Sequence, residues 1–195
     1  MFYYIEGKAT IVLDNAVVLD CGGVGYLLKS SQHTIDKVTK SETIKLYTFL
    51  HVKEDIFDIY GFFDIEELNC FKMLLDISGV GPKAALSVLS ELAPEALAMS
   101  ILTGDDIALS RASGIGKKTA QRIILELKDK LSKTYRGNND VKSFSQSKNL
   151  SKQEEAMSAL LVLGYSPSQS ALALKDIDEN SDVEQMIKAA LKKLV

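Results

Sequence analysis

The sequence predicts a multidomain α+β protein, with a small β-barrel first, an all-α region in the middle and a module of three short helices last. Three observations carry this expectation. Apolar residues alternate with a period of two up to about residue 63 and recur at helical spacing from Asp64 onward. A short glycine-containing stretch, SGVGPK at 78–83, returns as SGIGKK at 113–118, with helical sequence on both sides of each copy. After a non-periodic stretch at 136–149, one helix-start signal occurs three times in succession.

Within 1–63, residues 10–14 and 16–20 read as strands around the turn Asp14-Asn15. Val24, Tyr26 and Leu28 alternate after Gly22-Gly23, and Ile44, Leu46, Thr48 and Leu50 alternate again. Strands this short and this evenly spaced are expected to close into an OB-fold-like β-barrel. Tyr3, Tyr26, Phe49 and Phe57 are expected mostly in its core. The segment holds six cations and eight anions, and no row of aromatics lies beside basic residues. Its expected role is therefore scaffold or assembly surface.

At Asp64 the period changes. Asp64 with Glu67 fits a capping box, and Leu68, Phe71, Leu74 and Leu75 follow at helical spacing, so 64–135 is expected to be helical. The stretch 136–149, RGNNDVKSFSQSKN, is rich in Gly, Asn and Ser and reads as a flexible linker. In 150–195 the pairs Ser151/Glu154, Ser166/Gln169 and Ser181/Glu184 announce three helices, the second with Pro167 at its first position. Ala156, Leu160, Leu172, Leu174, Ile187 and Leu191 are among the residues expected to form its core. A unit this small is only marginally stable alone. Leu163-Gly164-Tyr165 resembles the loop of ubiquitin-associated (UBA-like) three-helix modules, which implies a protein-binding unit, and the linker before it, without a periodic apolar face, predicts that the unit moves independently of the body.

The repeat carries the chemistry. Aligning 75–92 with 110–127, an offset of 35, matches Ser78/Ser113, Gly79/Gly114, Gly81/Gly116, Lys83/Lys118, Ala85/Ala120, Glu91/Glu126 and Leu92/Leu127. A period of this size means a duplicated supersecondary unit. The pattern resembles the tandem helix-hairpin-helix elements that bind DNA without sequence specificity. Glycine at alternate positions permits φ > 0 and leaves no Cβ between the backbone and a phosphate. The helix that follows adds its unpaired first-turn amides and the positive end of its dipole. Lys83, Lys117 and Lys118 stand in that first turn, where a cation is unfavourable unless an anion is bound. With Val80, Ile115 and Arg122 these residues form the candidate DNA-binding set. A single Gly-x-Gly would predict only a helix connector; the second copy with Lys at the same offset favours phosphate contact. A nucleotide-binding loop is excluded, because Gly116-Lys117-Lys118 lacks Ser or Thr at 118 and Gly at 111.

The 195-residue chain is 46% hydrophobic and carries a net charge of −3, which looks wrong for a DNA binder until it is divided. From Arg111 to Lys133 seven cations face two anions, a local +5. A basic face of this kind is the electrostatic footprint of phosphate binding, and the acidic remainder limits where DNA can lie. No apolar run has the length of a membrane span and the start, MFYYIEGK, lacks a basic region followed by an apolar stretch, so a cytoplasmic protein is expected. Two cysteines without a CxxC and two histidines predict neither a disulfide framework nor a metal site. No cofactor and no catalytic set is singled out.

Barrel, doubled hairpin and tethered module, in this order, resemble the RuvA family of Holliday-junction-binding subunits of the bacterial branch-migration complex. HVKEDIFDIYGF at 51–62, SGVGPKAALSVLS at 78–90, SGIGKKTAQRIILELKDKL at 113–131 and ALLVLGY at 159–165 carry the resemblance. Lys53, Ser113 and Gln121 stand where the family commonly has Arg, Pro and Glu; none removes a hairpin glycine or lysine. The resemblance implies a non-catalytic homotetramer or octamer that holds a four-way junction open in recombination and repair. It also implies recruitment of the RuvB motor through the module, with Leu163, Gly164 and Tyr165 as candidate contacts, and the RuvC resolvase as a further partner. Glu54 and Asp55 match the family's acidic pin; by residue type alone, Lys53-Glu54-Asp55 is an ordinary solvated turn. Other readings of the hairpins are a nuclease, glycosylase or ligase that uses them for DNA binding, and a scaffold that uses them as connectors.

Overall fold

The computed structural model describes residues 2–136, 151–175, 177–178 and 181–194. From residue 137 on, the stretch expected to be a linker lies outside the described residues. Five strands, β1 (Tyr4–Leu13), β2 (Ala16–Asp20), β3 (Gly25–Lys29), β4 (Thr43–Lys53) and β5 (Ile56–Phe62), close into a barrel in the order β1-β2-β3-β5-β4. Only the β3–β5 pair is parallel. This is the OB-like barrel the alternation predicts. Ile5, Ala9, Val17, Leu19, Leu28, Leu46 and Ile59 fill it. Gly61 makes room for that packing, since a Cβ there would lie 2.8 Å from Leu28 Cδ2.

Two of the expected core aromatics are not in the core. Tyr3 is 56% and Phe57 67% exposed. Tyr26 and Phe49 are half-buried, and Phe49 leaves the barrel interior to pack on Phe71, with ring centroids 5.5 Å apart. The outer face of β4 and β5 thus becomes a seam: Tyr60 and Phe62 also stack on Phe71, at 5.0 and 4.9 Å.

A short helix without a clear sequence signal, α1 (Gln32–Asp36), follows β3. It explains why the capping box expected at Asp64 is absent from α2 (Ile65–Leu75). Asp64 pairs instead with Lys37, and Glu67 accepts hydrogen bonds from Ser31 Oγ and, at 2.6 Å, Thr34 Oγ1. Burial raises the Glu67 carboxyl above its ordinary value, and the two hydroxyl donors offset part of that rise. This polar clasp and the Phe71 stack bind the barrel to the helices.

The central helices are α2, α3 (Pro82–Glu91), α4 (Pro94–Thr103), α5 (Asp106–Ser110) and α6 (Lys117–Arg136). The last three helices are α7 (Lys152–Val162), α8 (Pro167–Leu174) and α9 (Val183–Leu194). Two of the three capping boxes predicted here, Ser151/Glu154 and Ser166/Gln169, are formed. The start of α9 falls one residue late, with the Asp182 carbonyl accepting from Met186 N–H.

The expectation of an independent C-terminal unit is not met. α7 and α9 lie against α4, and α7 also touches α6. Ala156, Leu160 and Ile187 join one apolar core with Leu97, Ile101 and Ile123. A three-helix unit of this size buries too little surface alone, and packing on α4 supplies the rest. The Tyr165 hydroxyl donates to Glu66 at the start of α2, and burial followed by that bond to a carboxylate raises its pKa. Lys188 and Lys192 of α9 line the same cleft as Glu66 and Glu95.

Candidate nucleic-acid interface

Both hairpins have one construction. In the first, Ile77 and Val80 are buried while Ser78, Gly79 and Gly81 are exposed; in the second, Ala112 and Ile115 are buried while Ser113, Gly114 and Gly116 are exposed. The two apolar side chains plug each turn into the core, and the glycines face out. The Val80 N–H donates to the Ile77 carbonyl at 3.0 Å, and the Ile115 N–H to Ala112 at 3.1 Å. Val80 and Ile115 therefore anchor the hairpins: their side chains are buried and their amides are already used.

The two glycines of each hairpin do different work. Gly79 (φ +88°) and Gly114 (φ +83°) adopt the left-handed conformation that strains any residue with a Cβ. Gly81 is extended, at φ −91° and ψ 172°, and Gly116 is outside the positive-φ set. Among the described residues, a Cβ added at Gly81 or Gly116 would meet nothing within 4 Å. Neither backbone geometry nor internal packing requires glycine at these two positions. Of the alternating glycines that could take φ > 0, only the first of each pair does.

Helix growth starts at the second glycine: the Gly81 and Gly116 carbonyls accept from the Ala85 and Ala120 N–H groups, each at 2.9 Å. The amides of Lys83, Ala84, Lys117, Lys118 and Thr119 precede the first i→i−4 bond and have no helical acceptor. No acidic residue stands in the first turn of α3 or α6, whereas Lys83, Lys117 and Lys118 do and are exposed.

The hairpins are also side by side. Arg122 Nη1 of α6 donates to the Ser78 carbonyl at 3.1 Å and lies 3.9 Å from where a Gly79 Cβ would be. On the other side, Ala84 Cβ of α3 lies 3.7 Å from the corresponding position of Gly114. Each positive-φ glycine thus faces the helix that follows the other hairpin. Arg122 is committed in part to holding this pairing, and the two helix starts form one cationic surface.

Glu54 and Asp55 form the exposed turn between β4 and β5. Leu163 is fully buried, so the structure gives its side chain a core role in place of a surface one. Gly164 (φ +91°) and Tyr165 close α7 as a Schellman turn, with Tyr165 N–H to Leu160 at 3.2 Å and Gly164 N–H to Leu161 at 3.0 Å. Among the described residues no three His, Cys, Asp or Glu side chains converge to hold a metal ion, and no single helix is long and apolar enough to cross a membrane.

Fold and site together define a tandem helix-hairpin-helix protein with an OB-like barrel before the hairpins. Residues 71–129 match the SAM-like helix-hairpin-helix tandem model, 1–61 the RuvA N terminal domain and 151–195 the RuvA C-terminal domain. Among curated relatives, the Holliday junction branch migration complex subunit RuvA of Acetivibrio thermocellus is 43% identical over 204 residues, covering 100% of this chain and 98% of the relative. Those of Alkaliphilus oremlandii and Clostridium beijerinckii are 41% and 43% identical, each over 197 residues and 100% of both chains. The chain belongs to the RuvA family.

Proposed function

We propose that this chain is the structure-specific DNA-binding subunit of a branch-migration complex, its relatives being named as subunits of the Holliday junction branch migration complex. It holds a four-way Holliday junction open and planar on the surface formed by its two hairpins. It acts as a homotetramer, performs no catalytic step itself, and recruits and stimulates the RuvB ATPase motor through α7–α9. Phosphates sit on the first-turn amides of α3 and α6 and are neutralised by Lys83, Lys117 and Lys118. Such contacts carry no base information, so recognition is of shape. Glu54 and Asp55 act as the acidic pin: adjacent carboxylates repel phosphates and disfavour continuous duplex through the junction centre. With Leu163 buried, the motor meets the residues the docked module leaves exposed, among them Gly164 and Leu172.

One observation carries the phosphate reading. Gly81 and Gly116 occupy equivalent places with no internal need for glycine, so the absence of a Cβ serves something outside the chain. Four-way junction and linear duplex binding, compared at matched salt by fluorescence anisotropy, tests the reading. Strong junction preference is expected, with log affinity falling against log salt by roughly 0.9 per phosphate neutralised on duplex arms. Equal affinity for the two DNAs refutes it.

A further inference from the structure

The β4–β5 hairpin outruns the barrel. β1 pairs with β4 only over Thr43–Tyr47, and β3 meets β5 only at Ile59 and Tyr60. His51↔Asp58, Val52↔Phe57 and Lys53↔Ile56 are therefore a two-stranded arm paired only with itself. Strand alternation sets what it displays. Leu50↔Ile59 is the last pair whose side chains turn toward the barrel interior. Val52 and Phe57 continue that face past the last neighbouring strand, where none of the described residues covers them. Val52 is 58% exposed and Phe57 67%, with Ile56 at 39% on the opposite face.

A cross-strand Val–Phe pair steadies an isolated hairpin, and that accounts for an apolar residue at 57. It does not account for an aromatic one left this bare, one pair away from Glu54 and Asp55. The neighbouring charge narrows what covers the ring. Contact between the tips of two copies would bring like carboxylates together, which is unfavourable. A phosphate is repelled for the same reason. A nucleobase is neutral and flat, and its π-face matches the exposed ring.

We infer that Phe57, backed by Val52, stacks on a nucleobase at the centre of the bound junction, as an apolar wedge beside the acidic pin. This rests on the junction-binding reading above. The carboxylates exclude the backbone while the ring holds a base whose stacking is broken at the crossover, much as apolar side chains occupy opened base steps elsewhere. Linear duplex has no such opened step, so Phe57 adds to junction preference and little to general affinity.

Photo-crosslinking of the full-length protein to four-way junctions bearing iodouracil, either at the centre or far out on an arm, tests this. The wild type and Phe57→Tyr should cross-link at residue 57 to the central base and not to the arm base. Phe57→Ile, which keeps a β-branched partner for Val52 but has no ring, should lose the cross-link. Its junction affinity should fall by roughly fivefold or more, with duplex affinity unchanged. Full junction affinity in folded Phe57→Ile, or no wild-type cross-link at residue 57, overturns the inference alone. A drop in the mass of Phe57→Ile by light scattering without DNA overturns it in favour of an interface between copies. A wild type that binds junction and duplex equally overturns the function reading and this inference with it.

Discussion

Two kinds of helix start contrast in this molecule, apart from α2 and α4, which lack a side-chain cap but carry acids in the first turn. α7 and α8 open on Ser151 and Ser166, whose hydroxyls accept from the N3 amides while Glu154 and Gln169 reach back to the cap amides. α5 likewise opens on Asp105, whose carboxylate accepts from Ala108 N–H at 3.0 Å. At these ends the chain satisfies its own donors. α3 and α6 open on Gly81 and Gly116, which have no side chain to cap with, and lysines follow in place of acids. The first kind of start is closed and serves folding. The second is open and costs some local stability, the arrangement expected where an anion arrives from outside.

The largest way to sharpen this contrast removes two of the closed-end helices, α7 and α8, together with α9. A chain ending after Asn149 should retain junction binding, because both open ends remain, and should give no stimulation of RuvB ATPase above background. Since α7 and α9 cover α4, circular dichroism should also show a lower melting temperature. Full motor stimulation by the shortened chain would refute the assignment of that role to α7–α9.

A smaller effect is expected from opening one closed end. Ser151→Ala removes the acceptor for Glu154 N–H, 3.3 Å away, and should cost about 1 kcal/mol of stability by urea denaturation. Its salt-dependent DNA binding should coincide with that of the wild type. A matching loss of junction affinity would mean that helix starts here matter only through general stability.

What the sequence revealed follows the range of the interactions involved. Caps, the glycine turns and the switch of period at Asp64 are decided within a few residues, and they were legible. Glu67 reads locally as half of a capping box, because its partner Ser31 lies 36 residues away. The docking of the C-terminal module leaves no local signal for the same reason, since Tyr165 and Glu66 are 99 residues apart. Phe57 has the alternation of a core residue, and only the ends of β1 and β3 leave it bare. Val80 and Ile115 sit inside the hairpin motif, yet their burial follows from packing that the motif does not spell out. The distinction between Gly79 and Gly81 needs the backbone angles themselves.

The most direct test of the open-end account is the double variant Gly81→Ala, Gly116→Ala. Both added methyl groups enter space left empty by the described residues at φ values alanine tolerates, so unfolding free energy should change by no more than about 2 kcal/mol, up to about 1 kcal/mol for each glycine lost at the start of a helix. Junction affinity by anisotropy at matched salt should nevertheless fall at least about tenfold, or about 1.4 kcal/mol, because the methyl groups stand where phosphate oxygens approach the first-turn amides. A folded double variant that binds the four-way junction with wild-type affinity would contradict the account and leave the hairpins as connectors between core helices.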